Sequence, residues 1–233
     1  MCLIINRLHL NIPIFAKRFF LVRVVQQNDW VTFIITGCIL LYIFMLLYLH
    51  RDSSVRVFIL QKFADSSNNF LSWLIISAVF VLSLATLISQ GIPIVPAKIR
   101  EINFFGYELN KFGFTLWVLI LFYSVKSGLT YLYFAGTASM ERWPYFQFTA
   151  SKFYFVLSLV LMVACVYQFY FHTNLSLLYN YYFWGFSAVF LLKILLYLFS
   201  PQYILPIKWY YKFLYICTLQ IAPVIALWRI LYF

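Results

Sequence analysis

Three polar side chains interrupt otherwise apolar runs. Lys126 stands in TLWVLILFYSVKSGLTYLYFAG (115–136), Lys193 in VFLLKILLYLF (189–199) and Gln220 in YICTLQIAPVI (215–225). A charge at the centre of a membrane helix costs roughly 2.5–3.5 kcal/mol to insert. Two lysines and an amide kept in such runs can bind an anion, make interhelical hydrogen bonds, or reach along the helix for the headgroups. The chain supplies no anion beside them in sequence. Its six acids are Asp29, Asp52, Asp65, Glu101, Glu108 and Glu141, all outside the apolar runs. Glu141, in SMERWPYFQF, is the candidate counter-ion, because its loop joins directly to the run that holds Lys126. Otherwise the cations need a lipid phosphate, backbone carbonyls, water or a carboxylate of another protein. Pro223 removes a backbone donor three residues after Gln220 and is expected to bend the helix there.

Other chemistry lacks residues. There is no glycine-rich phosphate loop, and no pair of carboxylates faces a common site for acid–base work or for holding magnesium. Ser77, Ser83, Thr86, Ser124, Ser127 and Ser158 lie in apolar runs without a neighbouring histidine to activate them, and read as packing residues. Cys2, Cys38, Cys165 and Cys217 form no CxxC pair, and His9, His50 and His172 have no ligand spacing. No catalytic residue, metal site or cofactor is expected, and the chain reads as not an enzyme.

The elements that position the three residues follow from composition. The 233 residues are 65% hydrophobic, 23% aromatic and 10% charged, with a mean hydropathy of +0.90. Soluble domains carry about 25% charged residues, so the chain is expected to be an all-α integral membrane protein. A bilayer core of about 30 Å needs roughly 20 apolar residues as helix. Six stretches qualify, at about 30–49, 70–90, 112–134, 153–172, 181–199 and 213–233, which form one transmembrane domain over 30–233. Residues 1–29 are a basic, partly amphipathic N-terminal segment with Ile12, Phe15, Phe19 and Val22 at helical spacing. They do not read as a signal peptide. Residues 97–105 read either as an interfacial helix or as a solvated loop.

Net charge is +11, from 17 Lys and Arg against 6 Asp and Glu. With most charges in the N-terminal segment and the short connections, the expected partners are anionic membrane lipids and other integral membrane subunits rather than nucleic acid. Six spans put both termini on one side. The connections on that side hold eight basic residues and those on the other hold seven, so the positive-inside rule leaves orientation open. At 1.5 Å per residue, Lys126 lies about 12 Å from the end of its span, Lys193 about 9 Å from the end of its own, and Gln220 about 10 Å from the start of its own. The spans alternate in direction, so all three depths run from one membrane face. KWYYKF (208–213) and ERWPYF (141–146) are expected at that same interface.

NDWVTFIITGCILLYIF (28–44), the mid-span Lys126 and FLYICTLQIAPVIAL (213–227) together resemble a multipass family of Bacteroidota catalogued as domain of unknown function 4271. The resemblance covers about 23–233, and its most specific part is the LYxCTLxIxP pattern near the end. Residues 1–22 precede it and read either as native or as an extended start. The resemblance implies six helices in a Gram-negative inner membrane and no assigned chemistry. It also implies glutamate at the position of Gln220 in many members. Gln220 is then a departure, which argues against an ion pair there with Lys126 or Lys193. Two functions are expected. The first is a non-enzymatic accessory subunit of a larger inner-membrane assembly, for example in protein translocation or envelope biogenesis. The alternative is a small transporter or flippase for an anionic lipid or a polyprenyl-phosphate sugar.

Overall fold

In a computed structural model of the chain, the described residues are 14–49, 55–61, 63, 68–92, 110–171, 175–199, 204–206 and 208–232, with backbone alone for 14–28, 175, 176 and 232. Their regular structure is entirely helical. Six helices are long and apolar enough to cross a membrane: Asp29–Leu49, Asn69–Ser89, Lys111–Gly136, Met140–Tyr170, Leu177–Phe199 and Trp209–Leu231, called spans one to six below. The chain is a multipass, all-α membrane protein. Span four begins well before the expected residue 153, because WPYFQFTASK continues the helix with Pro144 in its first turn, where a missing N–H costs nothing. Asp29 and Glu141 fall at the ends of spans one and four. The helix of span one starts upstream at Ile14 and runs unbroken to Phe44, so residues 14–29 are not a separate helix. Residues 1–13 and 97–105, with the readings given to them, lie outside the described residues, as do Cys2 and all three histidines.

Span two is the centre of the bundle and packs against spans one, three and four. Its sequence explains this. Ser72, Ser83, Ala85, Thr86 and Ser89 are all buried, and small residues let neighbouring backbones approach closely in lipid, where no hydrophobic force drives helices together. Polar contacts add registration. Tyr42 of span one meets Ser158 of span four. Gln168 Nε2 donates to Gln90 Oε1 at 2.9 Å and to the Leu87 carbonyl at 3.3 Å. Cys38 and Cys165 are buried thiols in this core, with Cys165 Sγ 3.5 Å from the Ser83 carbonyl. Span six lies on span three. Span five is held by long side chains: Tyr182 donates to the Ala164 carbonyl at 3.3 Å, Tyr179 lies against Gly91, and Tyr197 packs at an angle against rings of spans four and six.

One end of the bundle is an aromatic cluster of Phe134, Phe146, Tyr197 and Tyr215 with Trp143 and Tyr133 against it. The end of span three, the start of span four and the approach to span six meet there. Tyr133 donates to the Tyr211 carbonyl at 2.8 Å, and Arg142 to the Leu205 carbonyl at 2.7 Å. The segments around ERWPYF and KWYYKF therefore gather at the same end.

The turn from span three to span four closes with Ser139 N–H on the Phe134 carbonyl at 3.0 Å and Ala138 N–H on the Ala135 carbonyl at 3.2 Å. This Schellman pattern places its αL residue at Ala138, with φ 50°, where glycine is normally found. The αL conformation costs a side-chain-bearing residue roughly 1–2 kcal/mol, and the entropy of unfolded glycine returns part of that. Ala138→Gly is expected to stabilise the detergent-purified protein by about 0.5–1 kcal/mol, read as a raised unfolding midpoint. A fall would mean the turn is not αL at 138.

Candidate functional site

Beside the aromatic end, spans two to six enclose a cavity of about 350 Å³. Lys126, Lys193 and Gln220 all line it. The common depth read from the sequence corresponds to one shared space.

Lys126 comes from the middle of span three. Its Nζ donates to Gln220 Oε1 at 3.2 Å and lies 5.9 Å from the centre of the Phe122 ring. Gln220 is 1% exposed, and its Nε2 donates to the Tyr215 hydroxyl at 2.8 Å. Both polar atoms of the amide are thus used within the fold, as burial requires.

Tyr215 and Gln220 meet for a local reason. Residues 215–221 form a π-helical stretch, in which hydrogen bonds run five residues back. The Ala222 N–H reaches the Cys217 carbonyl. In an α-helix, at 3.6 residues per turn, residues five apart point about 140° from each other. The wider turn brings them onto one side. Pro223 follows at once and has no N–H for the Leu219 carbonyl, so the α pattern was already broken at this point. Such π turns are frequent at functional sites.

Lys193 is 7% exposed and points inward rather than toward the headgroups. Its Nζ donates to the Tyr154 hydroxyl at 2.6 Å and lies 4.5 Å from the centre of the Tyr154 ring, 5.8 Å from Phe153 and 5.8 Å from Tyr197. Aromatic faces attract a cation, and more strongly where water is excluded. The Tyr197 hydroxyl is buried without a hydrogen-bond partner, and Tyr197 lines the same cavity.

Hydroxyl groups complete the wall: Ser77 from span two, and Ser124, Ser127 and Thr130 from span three. Thr130 Oγ1 already donates to the Lys126 carbonyl at 2.7 Å. Among the described residues no Asp or Glu lines the cavity. Glu141 is exposed, in the short helical turn Met140–Arg142, and does not line the cavity. Among the described residues no group of three His, Cys, Asp or Glu side chains is placed to hold a metal. The arrangement can place two amines and several hydroxyls around one anionic group. Sequence reading missed Tyr154, Tyr197 and Tyr215. Tyrosine is too frequent here, at 19 residues, for any one of them to stand out, and only the π turn sets the Tyr215 contact.

The cavity reaches the surface of the bundle between spans two and three. Ala78, Ile120 and Ser124 line it and are exposed. At 1.5 Å per residue, Ala78 lies about 14 Å and Ile120 also about 14 Å from the start of its span, so this mouth opens near mid-height.

No curated protein and no solved structure matches the chain. The model of the family described as domain of unknown function (DUF4271) matches residues 31–231, which takes in all three polar intramembrane residues and nearly the whole bundle. By that match this chain of six spans, with its lysine-lined cavity, belongs to the DUF4271 family.

Proposed function

We propose that this protein is a non-enzymatic component of a Gram-negative inner membrane that holds an anionic group between its spans, as a small transporter or flippase does. One observation carries the reading: Lys126 and Lys193 reach a single cavity whose lining, among the described residues, contains no acid. Two ammonium groups in a low-dielectric space repel each other, and an anion between them relieves both that repulsion and their desolvation. The enclosure of Lys193 favours a small ligand group over a side chain of another protein, which could reach it only by unpacking the tyrosines around it.

A second reading, an accessory subunit of a larger inner-membrane assembly, is favoured by span five. Few of its residues are buried within the chain, and Phe183, Trp184, Leu191, Leu192, Leu195 and Leu196 are exposed. Affinity purification in mild detergent separates the two. The transporter reading expects a retained phospholipid or polyprenyl phosphate that Lys126→Leu releases and Lys126→Arg partly keeps. Stoichiometric membrane subunits released by the same substitution would place the anion on a partner and favour the assembly.

A further inference from the structure

We infer that the cavity takes the phosphate headgroup of a membrane amphiphile, which enters sideways from the bilayer between spans two and three. The inference rests on the anion-holding reading, derives the phosphate from the donors of the lining and adds its route of entry.

The ligand class follows from the donors. A carboxylate offers two oxygens, whereas a phosphate offers three or more and up to two charges. The cavity presents two lysine amines, the unpartnered hydroxyl of Tyr197, which is 3% exposed, and the hydroxyls of Ser77, Ser124 and Ser127. That set exceeds what one carboxylate can accept and suits a group with many acceptor oxygens. Lys126 and Lys193 come from different helices, so they can approach such a group from two directions.

The route follows from where the opening lies. Ala78, Ile120 and Ser124 are exposed and line the cavity, and the first two lie near the middle of helices 21 and 26 residues long. An opening at that height faces acyl chains, not water. The volume, about 350 Å³, is at the small end of ligand sites, roughly 300–1,000 Å³. It holds a headgroup but not the tails. The tails therefore stay in the bilayer, and the mouth is where the two parts of the ligand join.

The test uses the full chain in nanodiscs of phosphatidylcholine containing a minor fraction of phosphatidic acid, with bound lipid counted by native mass spectrometry. The wild type is expected to retain phosphatidic acid in preference to phosphatidylcholine. Lys126→Leu is expected to bind it about tenfold more weakly, with Lys126→Arg closer to wild type. Ala78→Trp, which sets a large ring at the lipid-facing mouth, is expected to reduce retention with the lysines intact. Ile120→Trp serves the same purpose if Ala78→Trp does not fold, as judged by its melting curve. Displacement of the lipid by inorganic phosphate, with both tryptophan variants behaving as wild type, would overturn the lateral route and the amphiphile while leaving an anion site. A wild type that binds no phosphatidic acid, but loses a co-purifying membrane protein on Lys126→Leu, would overturn the phosphate and keep the anion. Retention unchanged by Lys126→Leu, with no component lost, would overturn this inference and the anion-holding reading together.

Discussion

Gln220→Glu is expected to fill the site from within the chain and to displace the anionic ligand proposed for it. The new carboxylate would stand where the amide oxygen now stands, 3.2 Å from Lys126 Nζ. The present ammonium–amide bond then becomes an ion pair, whose attraction is strong in a low-dielectric site. The Tyr215 hydroxyl, which now accepts from Gln220 Nε2 at 2.8 Å, can turn and donate to the carboxylate instead, so no buried polar atom is orphaned. The single variant should fold and should retain about a tenth or less of the bound anion. The decisive measurement is a double-substitution cycle with Lys126→Leu. Alone, Lys126→Leu removes a buried amine and leaves Gln220 Oε1 without its donor, a cost of about 1–3 kcal/mol. Combined with Gln220→Glu it leaves a buried carboxylate without its cation, a loss of about 3–5 kcal/mol for broken buried pairs. A coupling of about 3 kcal/mol is expected from unfolding in denaturing detergent. Coupling indistinguishable from zero would mean that the two side chains do not meet.

Phe134→Ala should destabilise the bundle by about 3 kcal/mol. Phe134 is 0% exposed, and its ring centre lies 5.2 Å from Phe146, 5.6 Å from Tyr133 and 5.7 Å from Trp143. In water such a truncation removes about 3–5 kcal/mol, part of it from transfer out of solvent. In a bilayer that part is small, because lipid chains are as apolar as the core. The lost packing remains, and three ring pairs at about 1 kcal/mol each set the figure. The effect should reach the cavity as well. Phe146 lines it and also touches Tyr197 and Tyr215 at ring distances of 5.3 and 5.8 Å, so a Phe146 that settles into the vacated space widens the site and weakens retention. Phe199→Ala, at a ring 78% exposed on span five, is the control and should change stability by less than about 0.5 kcal/mol. Equal effects at the two positions would mean the aromatic end is not packed as described.

The sequence by itself determined the architecture, because insertion in a bilayer depends on length and polarity along the chain. A run of about 20 apolar residues must close its backbone hydrogen bonds as helix wherever it sits. Span one and span two were therefore legible to within a residue or so at each end. The start of span four was not, since aromatic and polar residues between Trp143 and Lys152 continue the helix without a long apolar run to mark it. The polar residues were legible for the same reason: Lys126, Lys193 and Gln220 stand out against apolar neighbours, and helix rise alone sets their depth.

Depth, however, says nothing of direction around the helix axis, and this the tertiary structure decided. It turned Lys193 inward among Tyr154, Phe153 and Tyr197, where the sequence also left snorkelling toward the headgroups open. It left Glu141 exposed and outside the cavity lining, although its loop is adjacent in sequence. It joined Tyr215 to Gln220 through a π turn that no α-helical wheel predicts. It opened the mouth between Ala78 and Ile120, which belong to different helices. Each of these depends on how neighbouring helices rotate and pack, and in lipid that packing rests on shape and a few hydrogen bonds rather than on a hydrophobic stripe. The apolar pattern that marks a membrane helix is nearly the same on every side of it, so the chain announces its spans and leaves their inward faces to the contacts between them.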